Sequence, residues 1–273
     1  MSDVFGSLHE TLQQVLVNRL GWTDLREVQQ QAYKAVNSGG DTLIIAPTAG
    51  GKTEAALIPV IDRILKNGAS GLQCLYISPL KALINDQEER FLRFCQPTGL
   101  ELQKWHGDVP KGDRVFRDGE PPNILMITPE SLEVLLLDPV SAGAMKSLSA
   151  VIIDEVHAFV ESLRGVQLRA VLDRIERVSG HGIQRIGLSA TVGNPDEVLS
   201  WISGGKTLTG QVVQVPVPVT EKRFSFTMEP DPGRRMDAIA RIVSGKKAIV
   251  FVGSRSEAEE TMRALQGRLG HVA

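Results

Sequence analysis

Cysteine is nearly missing from this chain. Cys74 and Cys95 are the only two in 273 residues, too few for a metal cage or a disulfide framework. Cys74 lies in QCLYI and reads as a small packing side chain, so neither thiol is assigned a redox or metal role. Aromatic residues are few, at 5%. Charge of one sign is lacking too. The formal net charge of −2 excludes a surface coated in basic groups, though not a local track of donors along a nucleic-acid backbone. No apolar run approaches membrane-spanning length, so no membrane partner is expected. The opening MSDVFGSLHE has no basic segment followed by an apolar core, which predicts no secretory leader and a cytoplasmic location.

What remains is ordinary for a soluble globular protein, with 42% hydrophobic and 23% charged residues, over a length that suits one large or two smaller domains. Leu8, Leu12, Val15, Leu16 and Leu20 mark one helical face, ended by Gly21. Leu25, Val28, Ala32, Ala35 and Val36 mark a second, ended by Ser38-Gly39-Gly40. Apolar runs then recur at 42–46 (TLIIA), 73–77 (QCLYI), 123–127 (NILMI), 150–154 (AVIID) and 184–188 (QRIGL), with a weaker one at 101–105 (ELQKW). Helical patterns separate most of them. Nearly continuous apolar strands alternating with helices predict an α/β fold, a parallel sheet covered by helices on both faces.

Two stretches carry chemistry. In IIAPTAGGKT a buried strand runs through a small-residue loop directly into a helix. Backbone N–H groups of the loop, Ala46-Pro47-Thr48-Ala49-Gly50-Gly51 (proline has none), and of the first helical turn can then converge on phosphate oxygens, aided by the helix dipole. Lys52 is placed to reach the β- and γ-phosphates, and the Thr53 hydroxyl to ligate Mg²⁺. Ala46, where the general pattern has glycine, removes freedom only at the loop's entry. An ordinary glycine-rich turn is the bland alternative. In VIIDEVH an apolar strand ends in two carboxylates at the sheet edge where α/β ligand sites lie. Asp154 can hold the magnesium and Glu155 can take a proton from the attacking water. Such a pair alone is often a solvated strand end; after an upstream phosphate loop it reads as a nucleotide site.

With DEVH, APTAGGKT and Ser189-Ala190-Thr191 in order, the chain resembles superfamily 2 helicases. GKTEAALIP, YISPLKALINDQEERF, WHGDVPKGDR, ILMITPESLEVLL, DEVHAF with Arg164-Gly165, and RIGLSATVGNPDEV are similar to the Lhr (large helicase-related) branch, over a span from about Gly21 onward. That superfamily often begins its phosphate loop with alanine. The resemblance implies a RecA-like domain using ATP and Mg²⁺. Gln29 in LREVQQQA would read the adenine edge, although its neighbours Gln30 and Gln31 leave a plain helix-surface role open. Trp22 reads as a packing anchor. His157 would link the nucleotide site to Ser189, Ala190 and Thr191, with a satisfied buried histidine as the alternative. Single-stranded nucleic acid would be held through phosphates by Pro79, Leu80 and Lys81, by Thr128, Pro129, Glu130 and Ser131, and by His106, Gly107, Asp108 and Arg164. Pro79, Pro129, Glu130 and Ser131 also suit helix starts. His106 has no partner spacing for a metal.

Two prolines at 216 and 218 read as an extended connector. EKRFSFTM is a candidate edge strand, DPGRR a turn into the helix MDAIARIV, and AIVFV (248–252) a buried strand resembling the start of a second RecA-like domain. The expected division is an ATP-binding domain at 1–215, a linker at 216–235 and an incomplete second domain at 236–273. Residues 266–270 echo the family's arginine finger only faintly and read as a helix end with two glycine stops. The expected function is ATP-dependent movement on a strand, DNA and 3′→5′ by resemblance, with little activity from this chain alone. An RNA helicase and a nucleotide-dependent binding module that never unwinds are the rivals.

Overall fold

The structure, a computed structural model, describes residues 3–47, 50–68, 70–108, 116, 120–205, 210–216 and 225–270. Two compact units divide at Val217 and Pro218. The first opens with helices α1 (Asp3–Ser7), α2 (Glu10–Asn18) and α3 (Glu27–Asn37). Strand β1 (Thr42–Ile45) and helix α4 (Lys52–Asn67) follow, then β2 (Cys74–Ile77), α5 (Lys81–Thr98), β3 (Leu102–Trp105) and β4 (Ile124–Ile127). Short helices α6 (Pro129–Leu135) and α7 (Pro139–Ala144) lead to β5 (Ala150–Ile153), α8 (His157–Val160), α9 (Leu163–Ser179), β6 (Gln184–Ser189), α10 (Pro195–Ile202) and β7 (Gln211–Gln214). The seven strands form one sheet in the order β3-β4-β2-β5-β6-β1-β7, every pair parallel.

Strand side chains alternate between two cores, because successive residues of a strand point to opposite faces. Ile44, Cys74, Tyr76, Ile124, Met126, Ile152 and Leu188 pack with α1 to α5. Leu43, Ile45, Leu75, Ile77, Leu125, Ile127 and Ile153 pack with α6 to α10. Both faces of the central strands are therefore apolar, which is why they appear in the sequence as unbroken apolar runs. Strand β7 is different. It pairs only with β1 and buries Val213 alone of its four residues, so its polar sequence gave no strand signal.

Asp62, 1% exposed, ties the N-terminal helices down. Its Oδ1 accepts from the His9 backbone N–H at 2.6 Å, at the start of α2. Its Oδ2 accepts from the Tyr33 hydroxyl of α3 and from Lys66 Nζ, each at 2.7 Å. Trp22 packs edge-on against Phe94, ring centroids 6.2 Å apart, the anchoring place expected of it.

The second unit contains helices α11 (Pro232–Val243) and α12 (Arg255–Leu269). Asp231 caps α11, so Pro232 and Gly233, expected in a turn, lie inside it. The segment 248–252, expected as a buried strand, forms no strand, and Ile249 and Phe251 are 81% and 89% exposed. A strand needs a hydrogen-bonded neighbour, and no described residue of this unit supplies one. Residues 225–228 of the expected edge strand are also outside any strand; 221–224 lie outside the described residues. Gly267 sits within α12, and Gly270 alone stops it (φ 74°). Among the described residues no helix is long and apolar enough to cross a membrane.

Candidate functional site

The carboxyl edge of the sheet gathers the candidate residues, because each chemistry-bearing motif follows the end of a parallel strand. After β1, Ala46 is buried and its N–H donates to the Ser189 carbonyl at 3.1 Å, joining the loop to the end of β6. Gly50 N–H turns back onto the Pro47 carbonyl at 2.8 Å. Gly51 caps α4 in a left-handed conformation (φ 88°), and a Cβ there would stand 2.9 Å from Gln29 Nε2. The left-handed φ is what calls for glycine at that point. Thr48 and Ala49 of the predicted cradle lie outside the described residues. Thr53, in the first turn of α4, is 5% exposed.

Gln29 is not on the helix surface. It is 1% exposed, with Oε1 accepting from the Arg26 N–H at 2.9 Å. Its Nε2 has no hydrogen-bond partner among the described residues. A buried amide donor facing a glycine loop without a partner is costly unless a ligand completes it.

At the end of β5, the Asp154 N–H donates to the Ile77 carbonyl at 2.8 Å. Asp154 Oδ1 accepts from the Glu155 N–H at 3.0 Å, and Oδ2 from the Tyr76 hydroxyl at 2.5 Å. Burial raises the Asp154 carboxyl above its ordinary value, against the Tyr76 hydrogen bond and the Lys52 charge. Burial and the adjacent Asp154 carboxylate hold the Tyr76 hydroxyl well above its own. Lys52 Nζ lies 2.6 Å from Glu155 Oε1. Two residues predicted from motifs 103 positions apart thus meet.

Glu155 itself has φ 45°, the one non-glycine residue with positive φ among those described. Beyond it, His157 begins α8 half-exposed, so it is no satisfied core histidine. Its Nδ1 is 2.8 Å from Ser189 Oγ, whose hydroxyl donates to the Thr191 carbonyl at 3.0 Å. A serine hydroxyl has one proton, so His157 Nδ1 is the donor in this pair. Ala190 and Thr191 line a recess of about 420 Å³ with Ala46, Pro47 and Gln214.

The nucleic-acid candidates gather at the neighbouring ends of β2, β3 and β4. Pro79 precedes α5 and does not start it; Leu80 is the cap. Pro129 is the first residue of α6, with Thr128 as its cap and Glu130 in the first turn, and Thr128 Oγ1 bonds Ser131 Oγ at 3.0 Å. Arg164 joins two of these strand ends. Its Nη2 donates to the Pro79 carbonyl at 3.0 Å and its Nε to Glu130 Oε1 at 2.7 Å. Its guanidinium also lies 5.8 Å from the centre of the Phe159 ring. Burial would raise the Glu130 carboxyl, but the Arg164 hydrogen bond and charge hold it below its ordinary value. Lys81 pairs with exposed Asp108 at 2.8 Å, beside Gly107. His106 is buried, its Nε2 3.2 Å from Asn85 Oδ1, and burial lowers its pKa. Tyr76, which the sequence offered only as a strand residue, is the member of this edge that motif reading missed.

A family model described as DEAD/DEAH box helicase matches residues 26–198. The "Lhr helicase/ probable uracil glycosylase" of Mycolicibacterium smegmatis is 36% identical over 256 residues, covering 85% of this chain and 17% of that protein. The "Lhr helicase/uracil glycosylase" of Escherichia coli K12 is 32% identical over 239 residues, covering 80% of this chain and 15% of that one. The solved structure of Mycobacterium smegmatis helicase Lhr bound to ssDNA and AMP-PNP superposes with a TM-score of 0.77 at 31% identity, covering 98% of this chain and 37% of the other. The chain therefore spans 15–17% of the length of these two curated relatives.

Proposed function

Because the chain belongs to the DEAD/DEAH box helicase family, we propose that it is the ATP-handling part of an Lhr-like helicase moving 3′→5′ on single-stranded DNA. Residues 1–215 form the ATP-binding domain, 216–235 the connector and 236–273 the start of a second RecA-like domain in this reading. The observation that carries it is the meeting of Lys52 with Glu155 at 2.6 Å, beside Asp154 and the glycine cap of α4. A lone lysine–glutamate contact is common; one at a helix N-terminus beside a second buried carboxylate suits a nucleoside triphosphate.

In this mechanism the phosphates draw Lys52 away from Glu155, and the freed carboxylate takes the proton of the attacking water. Gln29 Nε2 supplies a donor for the adenine ring. Thr53 and Asp154 fit a magnesium ion arriving with the nucleotide. An ion of this kind keeps several phosphate and water ligands of its own. When bound, that ion neutralises phosphate charge. His157 passes the state of the nucleotide to Ser189 and Thr191. Pro79, Lys81, the 128–131 turn and Arg164 grip the strand through its phosphates, a mode of binding that needs no base readout. The DNA-bound relative supports DNA as the substrate.

Titration with a fluorescent ATP analogue tests this assignment. Lys52→Ala removes a charge-assisted contact and should weaken binding about 10- to 100-fold. Glu155→Gln should bind nearly as the wild type does, because its carboxylate is assigned to hydrolysis. Equal losses in the two variants would contradict the roles given.

A further inference from the structure

Nothing in the packing of Tyr76 calls for its hydroxyl. The ring is fully buried in β2, with Phe91 edge-on at 4.7 Å between centroids. Phenylalanine would fill the same space. The hydroxyl's one hydrogen bond goes to Asp154 Oδ2 across the pairing of β2 with β5. Asp154 Oδ1 is held by the Glu155 N–H, and the Asp154 N–H is anchored on Ile77, the residue next to Tyr76. One lone-pair direction on each carboxylate oxygen is thereby used, and one on each remains. The carboxylate cannot rotate without breaking a buried hydrogen bond.

We propose that Tyr76 is a positioning residue, whose hydroxyl fixes the orientation in which the Asp154 carboxylate receives the divalent cation that accompanies the nucleotide. The assignment rests on the reading of Asp154 as the metal-holding carboxylate. It makes β2 more than a packing strand. Its position 76 serves the nucleotide side of the edge, while Pro79, three residues on, accepts from Arg164 on the nucleic-acid side. Partners that orient a metal-binding carboxylate typically contribute 10- to 100-fold to metal affinity.

The experiment titrates Mg²⁺ into the chain with a fluorescent ATP analogue, alongside nucleotide binding in metal-free buffer. Tyr76→Phe should match the wild type without metal and require about tenfold more Mg²⁺ for half of the metal-dependent tightening. Asp154→Asn should lose most of that tightening, and adding Tyr76→Phe to it should change nothing further, the non-additivity expected of one chain of contacts. Tyr33 and Tyr76 are the only tyrosines, so 3-fluorotyrosine in a Tyr33→Phe background labels position 76 alone. Its ¹⁹F resonance should move when Mg²⁺ is added to the nucleotide complex. An unchanged magnesium requirement in Tyr76→Phe, or an equal loss with and without metal, would overturn the assignment. So would a ¹⁹F signal indifferent to magnesium. A wild-type chain that binds no nucleotide overturns the ATP-site reading, and this assignment with it.

Discussion

Glu155 stands in a left-handed backbone conformation (φ 45°) that costs a non-glycine residue roughly 1–3 kcal/mol. Its surroundings hold it there. Its N–H is bound by Asp154 Oδ1, its carboxylate by Lys52, and the next N–H, of Val156, by the Leu188 carbonyl at 2.9 Å. The strained turn points the side chain toward the phosphate loop. Arg164 does the same at the proposed nucleic-acid contacts, where one guanidinium braces the ends of β2 and β4. Its partner Glu130 is half-exposed, so a phosphate can replace that carboxylate. Arg164→Ala should weaken single-stranded DNA binding and lower the salt slope by about 0.7, the value of one lost phosphate contact on a single strand. Binding titrations across a salt series read both; an unchanged slope would assign Arg164 to bracing alone.

Among the elements, the start of α2 and helix α3 are tied to α4 through a single side chain, Asp62, beside their apolar packing. Removing the Asp62 carboxylate would leave the Tyr33 hydroxyl and the His9 N–H without their acceptor, a cost of about 3 kcal/mol at a buried site. Asp62→Ala should therefore lower the melting temperature, and limited proteolysis should cut first between α2 and α3. Helices and central strands were legible because burial on both sheet faces writes itself as apolar runs and helical periodicity. The candidate phosphate loop and the carboxylate pair could be proposed from sequence because each is contiguous. Contacts joining distant positions were not: Tyr76 to Asp154 spans 78 residues and Arg164 to Pro79 spans 85. β7 escaped because an edge strand buries little, and 248–252 misled because an apolar run states a preference that only a neighbouring strand can satisfy.

At the scale of the molecule, the first unit is a sheet shared by two cores, with its candidate chemistry confined to one edge. Large buried polar groups serve elsewhere. Arg185, 1% exposed, pairs with Asp173 at 3.0 Å and Glu176 at 3.2 Å and donates to the Ile202 carbonyl, holding the entry of β6 far from the phosphate loop. The double cover has a consequence for solvent. Amides of β1, β2, β5 and β6 lie under apolar side chains on both sides and are hydrogen-bonded to neighbours on both edges, so they should take up deuterium only when the whole unit opens. The loop amides of Gly50, Gly51, Ala190 and Thr191, a few residues further along the same chain, should label within seconds to minutes. Adding ATP and Mg²⁺ should slow those loop amides while leaving the central strands as they were. Central strands labelling as fast as the loops would mean that the sheet breathes with its rim and is no rigid frame for the proposed nucleotide site.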